Sequence, residues 1–273
     1  MINTYQIYLI SDSTGETLDR IFTAIKAQFK NINYKIHTYS FTRTENQILK
    51  ILSEAEKSSN SIILYSIVDS NLAKYLANTS NEKKIPCFGV LGDLILSFSK
   101  LLNQKASHQP SGQYALNEEY YKRIAAIQFT MNHDDGNLVN DINKSDIILL
   151  GVSRTSKTPT SIYLANKGFK VANIPLVANT SLPEELFGFK KPIIIGLIKD
   201  PRSLMQVRQT RLKMMGENNQ TSYDDINHIK FEISQARLIF TKYAWPSIDV
   251  SRRSVEETSA SVIKIYNTKG TSF

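Results

Sequence analysis

The 273-residue chain has almost no cysteine and no long apolar run. Its single cysteine, Cys87, has no second cysteine to pair with, which excludes an internal disulfide, and no Cys/His spacing indicates zinc. No apolar stretch approaches the roughly 20 residues that span a bilayer. The N-terminus also lacks the pattern of a secretory signal. These absences predict a cytoplasmic protein with no membrane partner.

The charge of the chain is positive, with 33 Lys and Arg against 25 Asp and Glu. The 13 Tyr and 12 Phe residues show no ladder interleaved with Lys and Arg, so no nucleic-acid partner is predicted. A basic protein suits phosphate handling or an acidic partner. The densest basic cluster, from Arg202 to Lys213, has helical spacing and is either a solvated helix face or a phosphate-facing one.

Strand-length apolar runs alternate with amphipathic segments along nearly the whole chain, which favours βαβ units and parallel sheets. We predict an α/β fold with an N-terminal βαβ-type parallel-sheet domain, 1–140, and a P-loop kinase-like α/β domain, 141–273. Leu102–Leu116 is predicted to be an exposed loop. A helix is predicted from Asn117 with Ile124, Ile127 and Phe129 facing inward. Trp245-Pro246 is expected to break the pattern.

The most informative segment follows the apolar run Ile147–Leu150 and precedes a helical pattern. The phosphate-loop template is Gly, four residues, Gly-Lys, then Ser or Thr, between a strand and a helix. The segment matches it except at Ser156, which replaces the second glycine. Its residues are Gly151, Val152, Ser153, Arg154, Thr155, Ser156, Lys157 and Thr158.

The chemistry of nucleotide binding explains why this spacing matters. Backbone N–H groups and a helix N-terminus cradle phosphate oxygens. Lys157 would reach the terminal phosphates, and the Thr158 hydroxyl would ligate Mg²⁺. The alternative is a Ser/Thr-rich turn that caps a helix, with Lys157 solvated.

Three other places carry candidate chemistry. Ser11, Asp12 and Ser13 follow the first strand and could bind an anion; the alternative is a helix N-cap at Ser13 or Thr14. His133 and Asp134 begin a His-Asp-Asp-Gly turn, which could supply a base and Mg²⁺ ligands or be an Asx turn. Asp200 is a candidate metal ligand, with helix capping as the alternative.

The chain closely resembles the regulatory proteins of pyruvate, phosphate dikinase and phosphoenolpyruvate synthase. The resemblance covers nearly the whole chain, and Ser156 belongs to this family's own loop. The segments that carry it are Ser11–Thr17, His133–Gly136, Gly151–Ala165, Gly168–Val177, Asp200-Pro201 with Arg208 and Arg211, and Trp245–Val250.

The resemblance implies a bifunctional enzyme. Such proteins use ADP to phosphorylate a threonine beside the catalytic histidine of the dikinase, and reverse this with inorganic phosphate, releasing pyrophosphate. Pyruvate, phosphate dikinase is the expected partner, with phosphoenolpyruvate synthase as the alternative. A small-molecule kinase and a nucleotide-controlled binding protein are the other hypotheses.

The chain is expected to form a homodimer. The resemblance and the residue types together also give a set of expected site residues. The expected catalytic residues are Lys157, His133, Asp134, Ser11, Asp12 and Ser13; the nucleotide lies on Gly151–Thr158; and Thr158 and Asp200 hold the metal.

Overall fold

The computed structural model describes residues 4–112, 117–135, 141–177, 182–189, 191–216 and 222–270. The chain forms two compact units, Met1–Ala115 and Leu116–Phe273. Each holds a four-stranded parallel sheet with helices, which confirms the predicted α/β fold. The predicted domain boundary falls near 140, among residues 136–140 that lie outside the described part of the chain, and the domain division stays a prediction.

The first unit has the strand order β2-β1-β3-β4, with every neighbouring pair parallel. Successive residues of a strand point to opposite faces of the sheet. Ile7 and Leu9 therefore pack with α1 on one face, while Tyr8 and Ile10 pack with α2 and α3 on the other. The elements are β1 Thr4–Ser11, α1 Glu16–Lys26, β2 Asn33–Tyr39, α2 Glu45–Ala55, β3 Ser61–Ser66, α3 Ser70–Glu82, β4 Cys87–Gly89 and α4 Gly92–Leu102.

The second unit has the strand order β6-β5-β7-β8, again all parallel. Its central strand β5 is buried along its whole length. Helices α6 and α9 pack on one face of the sheet, and α7 and α8 pack on the other. The elements are α5 Glu118–Asn132, β5 Ile147–Gly151, α6 Lys157–Ala165, β6 Val171–Pro175, β7 Ile193–Ile198, α7 Pro201–Met214, α8 Ile226–Lys242, β8 Ser247–Asp249 and α9 Val255–Gly270.

The structure corrects the sequence prediction for α5. Ile124 is 45% exposed, whereas Ala126 and Thr130 are buried against α6 and β6. The Thr130 hydroxyl accepts a hydrogen bond of 3.0 Å from the Val171 N–H, so a small polar residue serves this contact. Ile127 and Phe129 are half-buried, so the prediction is wrong for Ile124, and the fully buried positions of α5 carry the small side chains of Ala126 and Thr130.

Two further elements were not predicted. Strand β8 follows the expected break at Trp245-Pro246 and pairs with β7, with Ile248 opposite Leu197. Helix α4 occupies the stretch before the predicted loop, of which residues 113–116 lie outside the described part. None of the helices in the described ranges is long and apolar enough to cross a bilayer.

Candidate phosphate-binding site

The loop between β5 and α6 lies at the carboxyl end of a central parallel strand, where α/β sheets bind their ligands. Arg154 and Ser156 both adopt left-handed backbone angles, with φ of 72° and 64°. Left-handed residues alternating with others turn successive N–H groups toward one concavity, which suits an anion. Ser156 thus takes the conformation that the template glycine favours.

Lys157 is buried at the first position of α6, with 5% of its surface exposed. Its Nζ donates a hydrogen bond of 3.1 Å to the Val152 carbonyl. Burial lowers the pKa of Lys157 to about 8, while the carboxylates of Asp135 and Asp134 act in the opposite direction. The alternative of a solvated Lys157 is therefore wrong.

A hydrogen-bonded cluster joins α6, β6 and the end of α5. The Thr158 hydroxyl donates to Asp134 Oδ1 over 3.1 Å, and Asn173 Nδ2 donates both to the same oxygen and, over 3.0 Å, to Thr158 Oγ1. The Asn173 N–H also donates to the His133 carbonyl over 3.0 Å. Oxygen atoms are the ligands that Mg²⁺ prefers, so the Thr158 hydroxyl and the Asp134 carboxylate fit that ion.

His133 is buried and does not line the cavity beside the loop. Its Nδ1 lies 2.7 Å from the Phe129 carbonyl, which can only accept, so Nδ1 carries the proton. Its ring stacks on Phe129 with centroids 3.9 Å apart. Among the atoms described, Nε2 has no hydrogen-bond partner. Gly136, the last residue of this motif, lies outside the described residues.

A cavity of about 290 Å³ opens beside the phosphate loop. Sequence reasoning named neither Lys199 nor Asp135 among the site residues, although Asp135 belongs to the motif that it singled out. The cavity is lined by Asp135, Ser153, Arg154, Ser156, Lys157, Thr158, Pro159, Pro175, Lys199 and Val207.

Behind the loop, Arg208 is buried with 1% of its surface exposed, so the interpretation of its cluster as a solvated helix face is wrong at this position. Its Nη2 donates to Glu232 Oε2 over 2.7 Å and to the Ser153 carbonyl over 3.3 Å, and Nη1 donates to the Tyr223 carbonyl over 2.8 Å. The sequence held a signal for this burial: Arg208 lies between Leu204 and Leu212 at four-residue spacing, on the apolar face of α7.

Asp200 makes the contacts of a helix cap. Its Oδ1 accepts from the Ser203 N–H over 3.0 Å, and this hydrogen bond lowers the pKa of the exposed carboxyl group. Asp200 does not line the cavity, whereas Thr158 does. Among the described residues, no three His, Cys, Asp or Glu side chains gather as a ready metal site. The predicted metal role of Asp200 stays a prediction.

The Ser11–Gly15 segment surrounds a second cavity of about 210 Å³ in the first unit. Ser11 Oγ accepts from Ser66 Oγ over 3.0 Å, Asp12 Oδ2 accepts from the Val68 N–H over 2.7 Å, and Ser13 Oγ lies 2.9 Å from Ser111 Oγ. Gly15, with φ of 85°, caps α1 without a side-chain bond, so the alternative of Ser13 or Thr14 as N-cap is wrong.

Gly151 is required for close packing between β5, β7 and the phosphate loop. A Cβ at this position would lie 2.7 Å from the Leu197 carbonyl oxygen and 2.7 Å from Thr155 Oγ1.

We expect Gly151→Ala to lose about 1–3 kcal/mol of unfolding free energy, because β5 must shift away from β7. Denaturant titration against Gly92→Ala measures this. Gly92 has open space around the position of a Cβ and no left-handed backbone, so an equal loss in both variants would contradict the steric explanation.

The chain is similar to known proteins along most of its length. A family model described as Kinase/pyrophosphorylase matches residues 7–263. A Pelagibacter ubique protein named "Putative pyruvate, phosphate dikinase regulatory protein" is 66% identical over 267 residues, which are 97% of each chain. A Geotalea uraniireducens protein of the same name is 41% identical over 263 residues, covering 96% of this chain and 97% of that one. These matches confirm the resemblance and the predicted enzyme class.

Among solved structures, an ABC transporter solute binding protein from Agrobacterium vitis matches with a TM-score of 0.27 and 12% identity, over 91% of this chain and 76% of that one. A TM-score this low supports no conclusion about fold or function. The family is shown by the family model and by the sequence identities: the chain belongs to the kinase/pyrophosphorylase family.

Proposed function

We propose that this chain uses ADP to phosphorylate a threonine of pyruvate, phosphate dikinase, and uses inorganic phosphate to remove that phosphoryl group as pyrophosphate. The observation that carries the proposal is the buried Lys157 beside a left-handed anion loop and an oxygen-rich cluster. The names of the relatives support the target. A cytoplasmic location and a homodimer belong to the proposal.

In the forward direction, Lys157 and the loop N–H groups hold the β-phosphoryl group of ADP. The Thr158 hydroxyl and the Asp134 carboxylate would hold Mg²⁺, which supplies charge neutralisation at the transferring phosphoryl group when bound. Asn173 fixes the Asp134 carboxylate through its side-chain amide. The lysine ammonium acts mainly in the transition state, where charge spreads over the phosphoryl oxygens.

The acceptor hydroxyl needs a group to receive its proton as its oxygen attacks phosphorus and the bond to the leaving AMP oxygen breaks. Asp135 lines the cavity, and its carboxylate fits this role. His133 was predicted as the base, and its Nε2, which has no hydrogen-bond partner among the described atoms, keeps it a candidate although it does not line the cavity. We therefore favour Asp135 and retain His133 as the second candidate.

The reverse reaction joins inorganic phosphate to the phosphoryl group of phosphothreonine, breaks the bond to the threonine oxygen and returns a proton to it. Arg154, Lys157 and Lys199 give the loop cavity the positive charge to hold free phosphate. The Ser11–Gly15 cavity offers hydroxyls and a helix N-terminus, but of the described residues that line it Asp12 and Glu16 are acidic and none is Lys or Arg. The charge of the cavities thus favours one shared phosphate site.

The two-site hypothesis assigns the phosphate-dependent direction to Ser11, Asp12 and Ser13, and Ser13→Ala tests it. Under that hypothesis, Ser13→Ala lowers pyrophosphate release about tenfold or more and leaves ADP-dependent phosphorylation near the wild-type rate. The matched control is Ser58→Ala in the first unit. Equal losses in both directions would instead indicate one site shared by both reactions.

Purified chain, ADP, Mg²⁺ and the phosphohistidine form of the dikinase together test the proposed function. We expect phosphate to appear on a dikinase threonine with ADP as donor, and phosphoenolpyruvate synthase to be a poorer acceptor. Transfer from ATP but not from ADP would contradict the proposed donor while leaving the phosphate loop intact. Phosphorylation of metabolites alone favours a small-molecule kinase. Nucleotide binding without any transfer favours a nucleotide-controlled binding protein.

A further inference from the structure

Tyr223 contacts the phosphate loop although it lies 70 residues after Ser153 in the chain. Its phenol oxygen lies 3.2 Å from Ser153 Oγ and accepts a hydrogen bond of 3.2 Å from Arg154 Nε. Ser153 and Arg154 both line the cavity beside the loop, whereas Tyr223 does not. The tyrosine therefore holds the loop from outside the cavity.

The ring and backbone of Tyr223 are held by the interior of the second unit. The guanidinium of the buried Arg208 lies 4.5 Å from the ring centroid, an attractive cation–π contact, and its Nη1 donates to the Tyr223 carbonyl over 2.8 Å. Neither contact uses the phenol hydroxyl. Among the described residues, this hydroxyl forms hydrogen bonds only with Ser153 and Arg154, so its effect is directed at the loop.

The contact with Tyr223 leaves the terminal nitrogens of Arg154 available for a ligand. An arginine Nε–H can only donate, so the phenol oxygen is the acceptor. Within the described ranges of the chain, no hydrogen bond or ion pair engages Nη1 or Nη2 of Arg154. These two groups form the planar fork that matches the oxygens of a phosphate. Arg154 is exposed, and a hydrogen bond at Nε restricts its long side chain before a phosphate arrives.

The charge of Arg154 acts on the same space as the charge of Lys157. Burial is the main cause of the lowered pKa of Lys157, and the positive charges of Arg208 and Arg154 lower this pKa further. An anion bound beside these cations relieves their mutual repulsion. The transferring phosphoryl group carries negative charge on its equatorial oxygens, so it is suited to this place.

We propose that Tyr223 is a positioning residue for phosphoryl transfer: its phenol oxygen holds Arg154 so that Nη1 and Nη2 bind the transferring phosphoryl group. This inference rests on the proposed function, because it concerns the same transfer. The activity of the wild type tests the proposed function, whereas the ratio of variant to wild-type activity tests the inference. The two can therefore fail in distinguishable ways.

Tyr223→Phe removes only the hydroxyl, since phenylalanine keeps the ring and the carbonyl that Arg208 contacts. We expect kcat for phosphorylation of the dikinase to fall about 10- to 100-fold and the KM for ADP to stay within about threefold of wild type, because the contact strengthens as charge develops. Urea unfolding followed by the fluorescence of Trp245 should match the wild type, which excludes a loss of fold.

Tyr243→Phe is the matched control, because the ring of Tyr243 packs on Phe187 and Trp245 and does not line the cavity. It should keep the wild-type kcat. A wild-type kcat in Tyr223→Phe as well would overturn the inference and leave the proposed function intact. A wild type that transfers no phosphate would contradict both.

A double-mutant cycle identifies the loop residue through which the hydroxyl acts. Arg154→Lys keeps the positive charge but loses Nε and the fork, and we expect a similar fall in kcat. Adding Tyr223→Phe to Arg154→Lys should then lower kcat less than about twofold further. Adding Tyr223→Phe to Ser153→Ala should still lower kcat about 10- to 100-fold. Independent losses for the Tyr223 and Arg154 changes, or coupling with Ser153→Ala alone, would show that the inference is wrong.

Discussion

Lys157→Ala is expected to lower the rate of threonine phosphorylation by about 10²- to 10³-fold, because the ammonium stabilises charge that develops in transfer. The variant should fold, since the native chain holds this buried ammonium against the cost of desolvation that lowers its pKa. The measurement is phosphorylation of the dikinase at saturating ADP. Lys213→Ala, at an exposed position of α7, is the matched control.

The pH dependence gives the same variant a second measurement. In the empty protein Lys157 is protonated below a pKa of about 8 and loses its charge above it. Bound phosphate raises this pKa, so ADP affinity in the wild type should fall by up to about tenfold per pH unit above pH 8, with proton uptake on binding. Lys157→Ala should remove this fall. Normal phosphorylation by folded Lys157→Ala would refute the assignment of the phosphate loop.

Arg208→Ala should cost about 3–5 kcal/mol of unfolding free energy in the second unit, the usual result of removing one partner of a buried ion pair. The change would leave Glu232, whose side chain is 14% exposed, without its 2.7 Å partner. The carbonyl oxygens of Ser153 and Tyr223 would also lose their hydrogen-bond donor. The Tyr223 ring, which lies 4.5 Å from the guanidinium, would lose its cation–π contact. The phosphate loop would lose its support at Ser153.

Urea unfolding followed by the fluorescence of Trp245 measures this effect, because the only tryptophan packs on a core of the second unit. Arg211→Ala, at an exposed position on the same helix, is the control. Adding Glu232→Gln to Arg208→Ala should recover part of the loss, since no carboxylate is then left uncompensated. Stability of Arg208→Ala equal to that of Arg211→Ala would contradict a supporting role for the buried pair.

The phosphate loop could be located from sequence because its evidence is local. One short segment holds the apolar strand together with Gly151, Lys157 and Thr158. The spacing of its apolar residues also distinguishes the strand before the loop from the helix after it. The partners of this loop were less accessible. Asn173 lies in the middle of an apolar strand, which is a signal for a satisfied buried amide, but only the fold shows that it meets Asp134.

The sequence did not predict β8, α4 or the buried face of α5, and the physical reason differs in each case. Strand β8 has three residues, too few to show an alternating pattern. Helix α4 is rich in apolar residues, which favours a buried element, whereas none of its residues is buried within the described chain. For α5, large apolar residues occur on more than one face, so periodicity alone did not identify Ala126 and Thr130 as the buried positions.

The serine at position 156 has a consequence for the cost of ligand binding. A non-glycine residue held at positive φ carries roughly 1–2 kcal/mol of backbone strain. Serine also has fewer accessible backbone conformations than glycine, so the empty loop has less conformational entropy to lose. We therefore expect the loop to be ordered during folding and not during each encounter with a nucleotide. Repeated binding and release should then proceed without refolding it.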